Sequence, residues 1–147
     1  MTRIIAIMVV STVLGCSGSD RRNDADALVI GDIAAIDWQL ARMQLGAEDI
    51  KPIKSSLVVF RCTPDGEVAG SASINRYSGS MVTEGSRILR WNPMRVTRMA
   101  GPPELMKQES FFLEAISKTT RMARFGRNLI LENASEGVRL EFIKRSN

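Results

Sequence analysis

A mostly antiparallel β-sheet packed against one amphipathic helix is the fold class that this 147-residue chain predicts. Three observations point there. From Trp38 onward, short apolar runs alternate with turn-forming Gly, Pro and Asn residues. Val138, Leu140 and Phe142 alternate with Arg139 and Glu141, the period-2 pattern of a half-buried strand. One segment, about residues 103–119, carries a helical period instead.

The strands follow in chain order. Leu57 to Phe60 is a continuous apolar run suited to a buried strand. Thr63-Pro64-Asp65-Gly66 has the type I turn pattern, and Glu67 to Ala72 is the returning arm. Ser78-Gly79 and Glu84-Gly85-Ser86 punctuate the stretch from Tyr77–Thr83 to Arg87–Trp91, and Asn92-Pro93 breaks the chain before Met94–Met99. Phe125 to Asn128 and Asn133 to Gly137 read as turns between the closing strands. Ile30 to Met43 is ambiguous, because Ile33, Ile36 and Leu40 also fit one helical face.

In the helix, Pro102-Pro103 suits the start and Glu104 suits the positive end of the dipole. At 100° per residue, Leu105, Met106, Phe112, Leu113 and Ile116 share an arc of about 120°. Glu109 falls near the centre of that apolar arc. A buried carboxylate needs a partner, and the expected one is arginine, first Arg98 and then Arg76. An internal pair fixing helix to sheet is the favoured role, ahead of catalysis. Phe111 falls among the charged residues, which puts it under a loop or makes it an exposed contact point.

Arg3, an apolar run from Ile4 to Leu14, and Gly15-Cys16 form the N-terminus. The run is shorter than the about 20 residues that span a bilayer and reads as a signal peptide. Its end resembles a lipobox, which implies lipidation of Cys16 and cleavage just before it; the alternative is a plain secretory signal. Residues 1–15 are then the signal peptide, 16–36 the lipidated cysteine with a flexible tether of roughly 25 Å reach, and 37–147 the folded domain. Fifteen of the twenty basic residues are arginine, scattered along the chain. Nucleic acid is not an expected partner, since a focused basic stripe with stacking aromatics is missing. The chain has no histidine, which removes the usual general base and the commonest zinc ligand, so no metal and no cofactor are expected. Cys62 follows an apolar run and has no histidine partner, so it reads as a core or strand-end residue.

Together these segments resemble the META-domain family of small HslJ-like envelope proteins. Trp38-Gln39-Leu40 is similar to the family's opening Trp-x-Leu, Asn75-Arg76-Tyr77-Ser78-Gly79 to its Asn-Arg-Tyr-x-Gly, and Thr97-Arg98-Met99-Ala100 to its Thr-Arg-Met-Ala. Leu57–Phe60 with Val68-Ala69-Gly70 is similar to its first hairpin, Met106 to Ile116 to its helix, and Asn128–Leu131 with Val138–Ile143 to its closing strands. The resemblance implies a strongly bent antiparallel sheet with the helix across its concave side, and a network of Glu109, Arg98, Arg76 and Asn75. It also implies a disulfide that this chain lacks, because Ile74 and Gly101 stand at the two cysteine positions, and Ser73 replaces a frequent glycine.

The function expected first is a non-enzymatic envelope lipoprotein, a binding, assembly or stress-response module. Its anchor on Cys16 would place it at the periplasmic face of an outer membrane, with an envelope protein as partner. The second expectation is a pilot-like or lipid-handling protein with an apolar groove. The third is a hydrolase pairing Glu109 with Asp65 or Glu67, which requires carboxylates about 5–10 Å apart.

Overall fold

The computed structural model describes residues 28–146. Ten strands alternate with one long helix: β1 (Trp38–Leu45), β2 (Glu48–Ile50), β3 (Val58–Cys62), β4 (Glu67–Ala72), β5 (Arg76–Glu84), β6 (Arg87–Trp91), β7 (Arg95–Val96), α1 (Pro103–Ser117), β8 (Arg121–Phe125), β9 (Asn128–Asn133) and β10 (Val138–Lys144). The order of paired strands is β10-β9-β8-β6-β5-β4-β3-β1, and β10 also pairs with β1 from Trp38↔Lys144 to Gln44↔Arg139. The sheet therefore closes on itself as an eight-stranded antiparallel barrel. β2 extends β1 as a short hairpin, and β7 lies beside β5. Closure corrects the expected open, strongly bent sheet. Bending alone would leave β1 and β10 as edges, and here each satisfies the other's backbone groups.

Alternation supplies the barrel's interior. Val138, Leu140 and Phe142 of β10 point inward, as do Val58, Phe60 and Cys62 of β3. β1 keeps the alternation through Trp38 and Leu40. Its register then shifts between Leu40 and Arg42, so that Met43 turns inward. The helical spacing of Ile33, Ile36 and Leu40 has another origin: Ile33 and Ile36 precede β1, and only Leu40 lies on the strand.

Helix α1 lies over the end of the barrel where β4 turns into β5, and ends two residues before its predicted limit. Phe112, Ala115 and Ile116 are buried beneath it. The Phe112 ring meets Tyr77 edge-on at 5.5 Å and Phe142 at 6.5 Å, which ties the helix to opposite sides of the sheet. Phe111 is half-buried against the core, so it serves as packing and not as an exposed contact point.

The other end is closed by residues 28–36, the last part of the expected tether. Leu28 and Ile33 are buried, Ile30–Asp32 forms one 3-10 turn, and Trp38 donates its indole N–H to Ile33 O at 3.0 Å. Ala35 N–H donates to Cys62 O at 2.9 Å, placing this plug at the far end of β3 from the helix. Cys62 is buried there, and burial pushes its thiol up to about 11. Ser78-Gly79 lies inside β5 and makes no turn. A Cβ on Gly79 would sit 3.2 Å from Met94 Cγ, so the glycine makes room for the strap that follows β6.

Candidate functional site

Glu109 points down from α1 at the helix end of the barrel, 5 % exposed, beside Asn75, 2 % exposed. Its Oε2 accepts from Asn75 N–H at 2.7 Å and Ile74 N–H at 3.1 Å, while Oε1 accepts from Asn75 Nδ2 at 2.8 Å. Asn75 in turn holds the strap between β7 and α1. Its Oδ1 accepts from Met99 N–H at 2.7 Å and the Thr97 hydroxyl at 2.9 Å, and its Nδ2 also donates to Met99 O at 3.0 Å. All four hydrogen-bonding positions of the Asn75 side chain are filled. One asparagine thus ties three stretches of chain together: the β4–β5 turn, the Thr97–Met99 strap and α1.

The expected Glu109–Arg98 and Glu109–Arg76 pairs are not formed. Among the described residues no ion pair reaches Glu109, and both arginines are exposed. Backbone N–H groups at a tight turn satisfy the carboxylate without the cost of desolvating a guanidinium. Arg98 lies on the outer wall of the cleft described below. Arg76 faces a separate groove of ≈ 690 Å³ that it shares with Arg95 and Arg145 on the outer face of β3–β5.

Two departures from the family pattern meet at this site. Ser73 holds φ 128°, a conformation suited to glycine, so the turn keeps its backbone shape although the residue has changed. The serine hydroxyl bonds Ser56 Oγ at 2.6 Å and accepts from Gln108 Nε2 at 3.2 Å, interactions a glycine lacks. Gln108 also accepts from Ile53 N–H at 2.7 Å. Ile74 and Gly101 are packed together: a Cβ on Gly101 would lie 2.8 Å from Ile74 Cγ1. Ile74 Cβ is one bond beyond, about 3.5–4.3 Å away, the usual span of a disulfide. A large and a small residue fill the space that two cysteines would bridge.

The network forms one wall of an open cleft of ≈ 520 Å³ between α1 and residues 94–100. Met94, Val96, Met99 and Met106 line it, with Asn75, Glu109 and Arg98 supplying the polar part. Met99 is 55 % exposed although its backbone is clamped by Asn75 on both N–H and C=O. Thioether side chains adapt to irregular apolar partners, so the cleft can accept one on a rigid frame. Sequence reasoning did not name Met94, Met99 and Met106 as a site. The available sign was three methionines in thirteen residues flanking the Thr-Arg-Met-Ala segment.

A paired-carboxylate hydrolase site is not assembled. Asp65 and Glu67 are exposed at the β3–β4 turn. Glu109 binds residues 74 and 75, beyond the other end of β4. A whole strand, roughly 20 Å, separates the groups. Cys16, the expected lipidation site, and the signal segment 1–15 lie outside the described residues.

Solved structures with the same fold include the NMR structure of a protein from Burkholderia xenovorans, at TM-score 0.66 and 17 % identity over 79 % of this chain and 86 % of that one. A second NMR structure matches at TM-score 0.56 and 16 % identity over 77 % and 92 % of the two chains. No curated protein matches. At these identities the likeness concerns the fold. The family assignment has separate support: the META domain model matches residues 31–147, taking in the plug from Gly31 on, all ten strands, α1 and the Asn75–Glu109 network. With four-fifths of its length covered by that match, this chain belongs to the META domain family.

Proposed function

We propose that this chain is a non-enzymatic META-domain binding or assembly module of the cell envelope. It is anchored by lipid on Cys16 at the periplasmic face of an outer membrane, and it receives an apolar segment of an envelope protein. The observation that carries the reading is the methionine-lined cleft beside α1. Its walls are held by hydrogen bonds of 2.7–3.1 Å while Met99 stays exposed. Interfaces are enriched in methionine and aromatic side chains at their centres, and a clamped backbone lowers the ordering cost of binding. Acyl-chain storage inside the barrel is disfavoured, because Trp38, Phe60, Phe112 and Phe142 fill the interior.

Two measurements test the two halves of this reading. The intact mass of the protein from cell membranes is expected to fit a chain starting at Cys16 with acyl groups, and Cys16→Ser is expected to retain residues 1–15. An unmodified Cys16 would end the anchor. A photo-cross-linking residue at Met99 in intact cells is expected to capture one envelope protein that the same residue at Lys107, exposed on α1, does not. Identical capture from both positions would remove the cleft as the binding surface.

A further inference from the structure

The plug end of the barrel carries an arrangement unlike the rest of the surface. β8 and β9 meet there in a tight hairpin, Phe125-Gly126-Arg127-Asn128, with Gly126 at φ 60°. Phe125 at its tip is 74 % exposed, the most exposed large apolar side chain among the described residues. Beside it, Arg124, Arg127, Lys144 and Arg145 converge on one open concavity of ≈ 700 Å³ that also includes Ile143, 40 % exposed. Among the described residues no ion pair involves any of these four cations. The carboxylates at its border are engaged elsewhere: Glu141 accepts from Asn128 Nδ2 at 2.7 Å, and Asp37 pairs with Arg61 at 3.1 Å.

We propose that this end of the barrel docks on an anionic lipid bilayer, the four cations facing the headgroups and Phe125 entering the interface. Three features select a bilayer as the occupant. An exposed aromatic beside four clustered cations is complementary to a surface that is anionic outside and apolar beneath. The patch is formed by a hairpin and the end of a strand, which leaves Phe125 standing exposed beside the cationic concavity. The chain also enters the fold at this end: Trp38, the first residue of β1, pairs with Lys144 of the cluster.

The inference rests on the anchored reading above and extends it. With Cys16 in the membrane, only residues 17–27 separate the anchor from buried Leu28, a span of at most about 40 Å. That span reaches past either end of the barrel, so docking of the cationic end, and not the tether alone, sets the orientation. The cleft then opens away from the membrane.

The test uses the full chain, isolated from membranes, with an environment-sensitive dye on Ser146→Cys at the cluster or on Lys107→Cys on α1. Buried Cys62 does not compete for the label. The chains are reconstituted on vesicles of phosphatidylcholine with or without 30 % phosphatidylglycerol, doped with spin-labelled lipid. Dye at position 146 is expected to be quenched at least about five-fold more than dye at 107 on the anionic vesicles. The excess is expected to vanish on neutral vesicles or in molar salt. Arg124→Gln with Arg127→Gln is expected to weaken docking about 25-fold, and Phe125→Ala about ten-fold. Equal quenching at 146 and 107, or quenching untouched by the double substitution, would overturn docking. Loss of flotation with neutral vesicles would instead overturn the acyl anchor, while quenching on anionic vesicles still decides the docking.

Discussion

At the helix end of the barrel, polar groups bury themselves to hold three chain segments in place, whereas at the plug end apolar side chains fill the opening and charge is left on the rim. Glu109 and Asn75 satisfy one another, the turn and the strap through six hydrogen bonds, without a cation. Leu28 and Ile33 close the opposite end by burial, helped by the Trp38 indole bond to Ile33 O and a backbone bond from Ala35 to Cys62. The difference teaches what each closure specifies. Burial stabilises without dictating an exact arrangement, while a filled hydrogen-bond network accepts only one.

The sharpest way to break the polar end is Glu109→Ala, which strands the N–H groups of Ile74 and Asn75 in a buried site. A loss of about 3–5 kcal/mol is expected from urea unfolding, with Glu109→Gln retaining part of it. Ile33→Ala probes the apolar end and should cost about 2–4 kcal/mol. Its cross-link to Glu109 is weak in a double-mutant cycle, since the two lie at opposite ends and their effects should add. In the reverse direction, Ile74→Cys with Gly101→Cys is expected to form a disulfide and gain about 2–3 kcal/mol over its reduced form. Failure to oxidise would mean that the two segments do not meet as described.

Smaller effects refine the same contrast. Ser73→Ala keeps the strained backbone and loses both hydroxyl contacts, so it should destabilise by about 1–2 kcal/mol. Ser73→Gly relieves the strain and should cost less than half as much. At the plug end, Cys62 should react with thiol reagents in the folded protein only as the pH approaches 11, against about 9 for the unfolded chain. The sign follows from proton counts. Between those values the folded state holds the thiol proton that the unfolded state has released, so stability falls as pH rises.

Much of the sheet was legible because its signals are local. β4 and β6 run over the predicted residues, β10 shows its alternation openly, and α1 begins at the predicted Pro103. Closure was not legible, because pairing of Trp38 with Lys144 joins residues more than one hundred positions apart and leaves no mark on either strand alone. Glu109 stood out correctly as a buried carboxylate. Its partner did not, because backbone N–H groups carry no side-chain signature and arginine is the commoner answer. Asn75 was named through the family motif, but its role as the hub appears only when Thr97 and Met99 are brought beside it in space.

Pairing of β1 with β10 also sets an order of events in time. As the chain emerges from its N-terminus, β1 can meet β2 and β3, yet its other edge waits until residues 138–144 have been made. Contacts of such long sequence separation form late and slow the search for the native state. Until then β1 and β9 both offer open edges that can pair with another chain. A chain cut short before β10 should therefore aggregate and not fold as a smaller barrel, and any factor that holds the nascent protein unfolded has a defined interval in which to act.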